Sequence, residues 1–191
     1  MTRVYKNGRQ RIMDYKRGHI KRLTFDFFNR DVLYVTPGLL GKILVRVFDD
    51  GRVEQYKITE LEAYRGEEDL ACHVSKGKTS RNKVMYGQAG LIYVYLVYGM
   101  HWMFNVVVNE VDIPQAILVR GLENLNGPGR LTKKLNIDAG FYGEDICNSS
   151  RIYVLNAPDV KHYEQKPRIG IDYAGDLWKN KPWRYILEDN R

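Results

Sequence analysis

Apolar and polar residues alternate with the two-residue period of a strand along much of this chain. In residues 56–64, Tyr56, Ile58, Glu60, Glu62 and Tyr64 fall on one face and Lys57, Thr59, Leu61 and Ala63 on the other. Residues 40–48 form a second strand-like run. Asp49-Asp50-Gly51-Arg52 lies between them as a hairpin turn signal, so the two runs are expected to pair. The apolar run over residues 91–108 is long enough to raise a membrane span. Its tyrosines, Gly99, His101, Asn105 and β-branched residues instead predict two strands joined near Tyr98-Gly99-Met100. Further strands are predicted at 113–121, 151–155, 168–171 and 183–187.

Helical signals are fewer. Asp31 is a candidate N-cap for Val32-Leu33-Tyr34-Val35, with Pro37 expected to start or break a helix. Acids in residues 65–69 suit a helix start before His73. Gly127-Pro128-Gly129-Arg130 reads as a loop opening a short helix that carries three cations. With no repeat and no low-complexity linker, the pattern predicts a mixed α/β (α+β) fold. It is a single domain with a curved, mainly antiparallel sheet and flanking helices.

Charge divides the chain. Residues 1–22 hold eight basic residues and one acid, the whole of the net +7, and residues 23–191 balance to zero. A basic, flexible tail at 1–22 on a neutral domain at 23–191 suits nucleic acid or another anionic surface, and equally a solvated tail with no specific role. The tail lacks the apolar core of a secretory signal. Cys72 and Cys147 form no CxxC pair and the four histidines are scattered, which excludes a disulfide scaffold or a structural zinc site. No metal or cofactor is expected, and a reducing, cytoplasmic setting is the default.

Two carboxylates on a strand face shared with Ile and Tyr are candidate chemistry, because desolvation beside apolar groups raises a carboxylate's pKa. The same pattern also suits a half-buried edge strand with surface glutamates. Lys76, Lys78, Arg81 and Lys83 lie in a polar loop with Ser80 and Asn82, a composition used for phosphate contacts and also for a solvated face. Asn105, inside an apolar run, is expected to be buried and to need partners or a task.

Taken together and in order, several segments resemble the 3-methyladenine (alkyladenine) DNA glycosylase family. They are residues 39–46, Ile58-Thr59-Glu60-Leu61-Glu62-Ala63-Tyr64, residues 69–73, Thr79-Ser80-Arg81-Asn82 with Met85, and Tyr93-Val94-Tyr95. Tyr98-Gly99-Met100, Asn105-Val106-Val107, Leu118-Val119-Arg120 and Gly127-Pro128-Gly129-Arg130-Leu131-Thr132 complete the set. The resemblance covers roughly residues 24–187.

The resemblance implies an enzyme of DNA repair acting on double-stranded DNA that contains damaged purines, as a monomer, in the nucleoid of a bacterium or the nucleus of a eukaryote. Glu62 is implied as the base that activates water, with Arg120 orienting it. Tyr64, His73 and Tyr95 are implied as the walls around the flipped base, and Asn105 as the group that excludes guanine. Tyr98 is implied as the intercalating side chain, with Met100, Arg81, Asn82, Lys83 and Arg130 beside DNA. No lysine falls at a catalytic position, so water is the expected nucleophile. Two departures stand out: only six residues separate Arg120 from Gly127, and His101-Trp102 is bulky beside a pocket. Two other classes compete with this reading. One is a nucleic-acid-binding module without catalysis. The other is a carbohydrate glycosidase using Glu60 and Glu62.

Overall fold

The computed structural model of the protein describes residues 21–188. The described chain opens with α1 (Phe25–Phe28) and α2 (Val32–Leu39). Asp31 caps α2, its carboxylate accepting from the Leu33 amide at 3.0 Å. Pro37 does not end the helix. α2 runs two residues beyond it with Val32, Val35 and Leu39 buried, and packing of that face outweighs the missing N–H.

Nine strands follow: β1 (Ile43–Val47), β2 (Val53–Arg65), β3 (Ile92–Val97), β4 (His101–Val108), β5 (Gln115–Leu122), β6 (Leu125–Asn126), β7 (Ile152–Leu155), β8 (Tyr163–Lys166) and β9 (Arg184–Leu187). They form one curled sheet of order β3-β4-β5-β2-β1-β7, and every pairing is antiparallel. β6 folds back on β5, so the short stretch between Arg120 and Gly127 is a closed hairpin. β9 pairs with β2 and with β8. α3 (Pro128–Lys134) packs across β4 and β5, and α4 (Gly175–Lys179) precedes β9.

Alternation divides the sheet into two faces. Ile92 and Val94 of β3, Phe104 and Val106 of β4, Ile117 and Val119 of β5, and Leu61 and Ala63 of β2 join the main core with residues of α2 and α3. The intervening positions point the other way and build the site.

The face predicted over residues 56–64 is in fact split. The β2–β5 register shifts between Ile58 and Glu60 and again between Glu60 and Leu61. Tyr56 and Ile58 pack with the main core, as do Leu61 and Ala63. One extra residue in a ladder reverses which side chains face inward. Glu60, Glu62 and Tyr64 therefore keep a common face, and Tyr56 and Ile58 leave it.

Two further expectations fail for local reasons. Residues 66–73 form turns rather than a helix start. The Asp69 carboxylate accepts from the Ala71 and Arg65 amides, both at 3.1 Å, and so competes with helical bonding. Residues 168–171 are not a strand. Gly170 has φ of 76°, and the segment turns over β2. Of the basic stretch at 1–22, residues 1–20 lie outside the described residues. Arg22 belongs to the body, its guanidinium donating to the Ile146 and Ser149 carbonyls at 2.6 Å each.

Candidate active site

Four adjacent strands bring one row of side chains together. Glu62 stands opposite Leu118, Leu118 opposite Asn105, and Asn105 opposite Tyr93. The rows on either side of it place Tyr64 opposite Ala116 and, on the other flank, Tyr95 opposite Met103. Above these rows lies a cavity of about 520 Å³. The loop residues His73 and Arg81 and the segment 169–173 complete its lining.

Glu62 is 0% exposed and stands just behind the cavity wall. The groups that cover it, Tyr64, Arg120 and Ile169, line the cavity themselves. Its Oε2 accepts from the Tyr64 hydroxyl at 2.9 Å and its Oε1 from the Ile169 amide at 2.8 Å. Arg120 Nε lies 3.5 Å from Oε1. Burial pushes the Glu62 carboxyl above the ordinary carboxylate range. Arg120, the two hydrogen bonds and the charge of Arg168 oppose that push.

Arg120 has no Cα partner where the β5 register shifts, and there its guanidinium lies between the two glutamates. Its Nε donates to Glu60 Oε1 at 3.3 Å. Glu60 also accepts from Arg184 at 2.9 Å. Both carboxylates therefore lean on one guanidinium nitrogen. They do not face each other across a groove, as the carbohydrate reading requires.

The aromatic wall is denser than the sequence implies. The His73 and Tyr95 ring centroids are 4.4 Å apart and those of Tyr93 and Tyr95 5.2 Å. The His73 Nδ1 is hydrogen-bonded to the Tyr93 hydroxyl at 2.8 Å. His73 stands at the rim, yet the protein around its ring and the nearby Arg81 charge hold its pKa down to about 4. It is therefore neutral at pH 7. Tyr93, missed in the sequence, carries the same alternation signal as Tyr95.

Asn105 is 3% exposed, and its Nδ2 donates to the Tyr93 and Met103 carbonyls at 3.0 and 3.4 Å. Among the described residues its Oδ1 makes no hydrogen bond, and the side chain lines the cavity. The amide is thus fixed on one side and presents a polar edge on the other.

The residues expected beside DNA divide. Tyr98 is 88% exposed at the tip of the β3–β4 hairpin, with Met100 exposed next to it. Tyr98 has φ of 53° and Gly99 φ of 69°, consecutive left-handed residues that close a tight turn. Lys83 and Arg130 are exposed. A Cβ on Gly129 would come within 2.9 Å of the His101 ring, so only glycine lets α3 sit against the base of the hairpin. That contact holds the bulky His101 against α3, outside the cavity.

Two of the residues expected beside DNA are engaged within the protein. Asn82 is 2% exposed. Its amide donates to the His73 and Gly77 carbonyls and accepts from the Thr79 amide. It is engaged in holding its own loop, because a buried amide needs these partners. Arg81 lies over the Tyr95 ring, 5.2 Å from its centroid, and lines the cavity.

Nothing in the linear pattern marks Asp69 and Arg168, 99 positions apart, whose side chains are both 0% exposed. Arg168 donates to the two Asp69 carboxylate oxygens at 2.6 and 2.8 Å. Removing either partner alone strands a buried charge, at a cost of about 3–5 kcal/mol.

The sequence profile of the methylpurine-DNA glycosylase family matches residues 26–126 and 123–191. This chain belongs to that family. Among its relatives is a provisionally named 3-methyladenine DNA glycosylase of Methanocella arvoryzae, 42% identical over 180 residues that span 84% of this chain and 89% of the relative. One of the same name from Desulfitobacterium hafniense is 40% identical, covering 90% of this chain and 98% of its own. A third, from Borreliella burgdorferi, is 39% identical over 86% and 95%. The family profile spans both halves of the site, from Glu62 and His73 to Arg120 and Arg168.

Proposed function

We propose that this protein is a DNA glycosylase. It takes an alkylated purine out of the duplex and hydrolyses its N-glycosidic bond with water activated by Glu62. The observation that carries the reading is a fully buried carboxylate, held by two hydrogen-bond donors and a neighbouring guanidinium directly behind an aromatic cavity. A base inside a duplex has to leave the stack before an enzyme can act on its sugar bond. Tyr98, exposed at the hairpin tip, is placed to fill the gap, with Met100 beside it. Lys83 and Arg130, both exposed, supply cations for phosphates. Tyr64, His73, Tyr93 and Tyr95 offer faces to a purine, and stacking accepts a positively charged alkylated ring most readily.

Glu62 does two things here. Ionised, it stabilises the positive charge that develops on the sugar, and it takes the proton of the attacking water. In the unliganded protein Arg120 and Ile169 cover the carboxylate, so base entry has to shift the Arg120 guanidinium along it and open Oε1 to water. His73 is neutral at working pH and acts as a stacking wall rather than as the acid for a leaving base. No lysine lines the cavity among the described residues. The product is then an abasic site, without strand cleavage.

The test is single-turnover base release from a duplex carrying one 7-methylguanine or hypoxanthine. Glu62→Gln keeps the shape of the side chain and removes the base. It should lower the rate by far more than tenfold, a barrier increase above ~1.4 kcal/mol, with lesion binding retained. Glu60→Gln should lose much less, since its carboxylate acts only on Arg120 and Arg184. A wild-type protein that binds the lesion duplex and releases no base would instead be a binding module.

A further inference from the structure

We infer that Arg168, locked by Asp69, is the positioning residue for the Glu62 carboxylate and for the Tyr64 wall. This rests on the reading of Glu62 given above. No atom of Arg168 has to touch substrate for the role. Its guanidinium lies 4.8 Å from the centre of the Tyr64 ring and 5.1 Å from that of Trp183. One arm donates to the Ala63 carbonyl at 2.9 Å, between Glu62 and Tyr64 in the chain. The residue that follows it is Ile169, whose amide donates to Glu62 Oε1 at 2.8 Å.

Two groups that set the carboxylate, the Ile169 amide and the Tyr64 hydroxyl, thus hang from one side chain. The bidentate pair with Asp69 fixes where residue 168 sits, and so where the Ile169 amide points. The cation against the Tyr64 ring holds the phenol whose hydroxyl donates to Oε2. The Ala63 contact ties both to β2. Segment 168–171 lies on no strand, so no sheet ladder would aim that amide in its place. Arg168 Nε is buried and has no acceptor among the described residues.

The pair also acts on charge. Arg168 is a cation close enough to favour the ionised form of Glu62. Asp69 compensates it, and the compensation is partial wherever the two charges lie at unequal distances from the carboxylate. Removing the cation and removing its partner should therefore move the Glu62 ionisation in opposite directions.

The experiment compares wild type, Arg168→Gln, Arg168→Lys and Asp69→Asn, with Glu62→Gln to assign the carboxyl signal. The Glu62 ionisation is read directly by carbon-13 NMR titration. Base release is read as the single-turnover rate against pH, with binding to a lesion duplex and the unfolding midpoint measured alongside. Arg168→Gln should raise the Glu62 ionisation and lower the plateau rate by roughly 10- to 100-fold, the scale of a displaced catalytic group. Asp69→Asn should also lose rate while moving the ionisation down. Arg168→Lys should restore the ionisation and only part of the rate, because an ammonium keeps the charge and loses the fork. Lesion-duplex affinity should stay within a fewfold of wild type.

An ionisation unmoved by either neutralising substitution, with rates that follow only the folded fraction, overturns the inference and reduces the pair to a structural bolt. If the arginine variants do not fold, Asp69→Asn decides by the sign of its shift. If wild type titrates as described but Glu62→Gln still releases base, the catalytic reading fails separately.

Discussion

Glu62, the proposed base, combines a charge that the proposed reaction needs with a position that penalises it. Its pKa is raised by burial. The unfolded chain therefore gives up this proton at a lower pH than the folded protein does. Between those two pKa values the folded state holds more protons, so stability falls as pH rises through the folded pKa and the loss persists above it. Glu62→Gln should then match or exceed the wild-type midpoint at pH 8, with the advantage shrinking on acidification. The same raised pKa should place the acid limb of base release above the ordinary carboxylate range. A glutamine variant clearly less stable than wild type at pH 8 would show that the two hydrogen bonds and the Arg120 charge more than offset the burial. Asn105 tests selectivity at the same scale. Its Nδ2 is fixed by the Tyr93 and Met103 carbonyls. Under the proposed function, that rigidity would let the open edge of the amide reject guanine, which differs from hypoxanthine by a 2-amino group. Asn105→Ala should raise release of guanine relative to hypoxanthine and cost about 1–3 kcal/mol of stability through removal of the two hydrogen bonds. Paired rate and melting measurements distinguish this from a purely structural amide, which would lower the midpoint and leave the ratio unmoved.

At the scale of elements, the β3–β4 hairpin combines a strained backbone with a projecting side chain. Tyr98 occupies a left-handed conformation, at φ of 53°, that bulky residues seldom adopt and that costs about 1–3 kcal/mol. Tyr98→Gly should therefore leave the unfolding midpoint unchanged or raise it, while weakening binding to a damaged duplex more than to a single strand. Equal losses on both substrates would make the tyrosine a packing residue. This hairpin was legible in advance, because two apolar runs flank a turn sequence and their alternation survives folding. So were the β1–β2 hairpin and the Asp31 cap, whose signals lie within a few residues. The split of β2 was not legible, since nothing in residues 56–64 marks a register shift that only pairing with β5 creates. Segment 168–171 looked like a strand because Arg168-Ile169-Gly170-Ile171 mixes apolar and polar residues. Its conformation is instead fixed by Asp69 and by the carboxylate it caps, both about a hundred positions away. For the same reason Glu62, Tyr64 and Tyr95 could be proposed from one sequence, whereas Arg168 could not.

For the whole molecule, the question is how a body with no excess charge attracts DNA. Residues 23–191 balance to zero, so long-range attraction has to come from local cations or from the chain before them. Lys83 and Arg130 are exposed, while Arg120, Arg168 and Arg184 are engaged with carboxylates. Arg22, counted with the basic stretch by composition, is tied to carbonyls of the body. That leaves six basic residues and one acid in residues 1–20, whose structure lies outside the described residues. Those charges are the expected source of sequence-independent affinity, and counterion release would set how that affinity varies with salt. Deleting residues 1–20, with Lys21 and Arg22 kept, should weaken binding to undamaged duplex at low salt. It should also flatten the plot of log K against log salt by roughly 0.9 for each phosphate no longer neutralised. Single-turnover base release at saturating enzyme should be unchanged, because every group around Glu62 comes from residues 60–184. Titration of labelled duplex at several salt concentrations decides it: an unaltered slope would assign the affinity to the cations beside the hairpin and leave the basic stretch without a part in DNA binding.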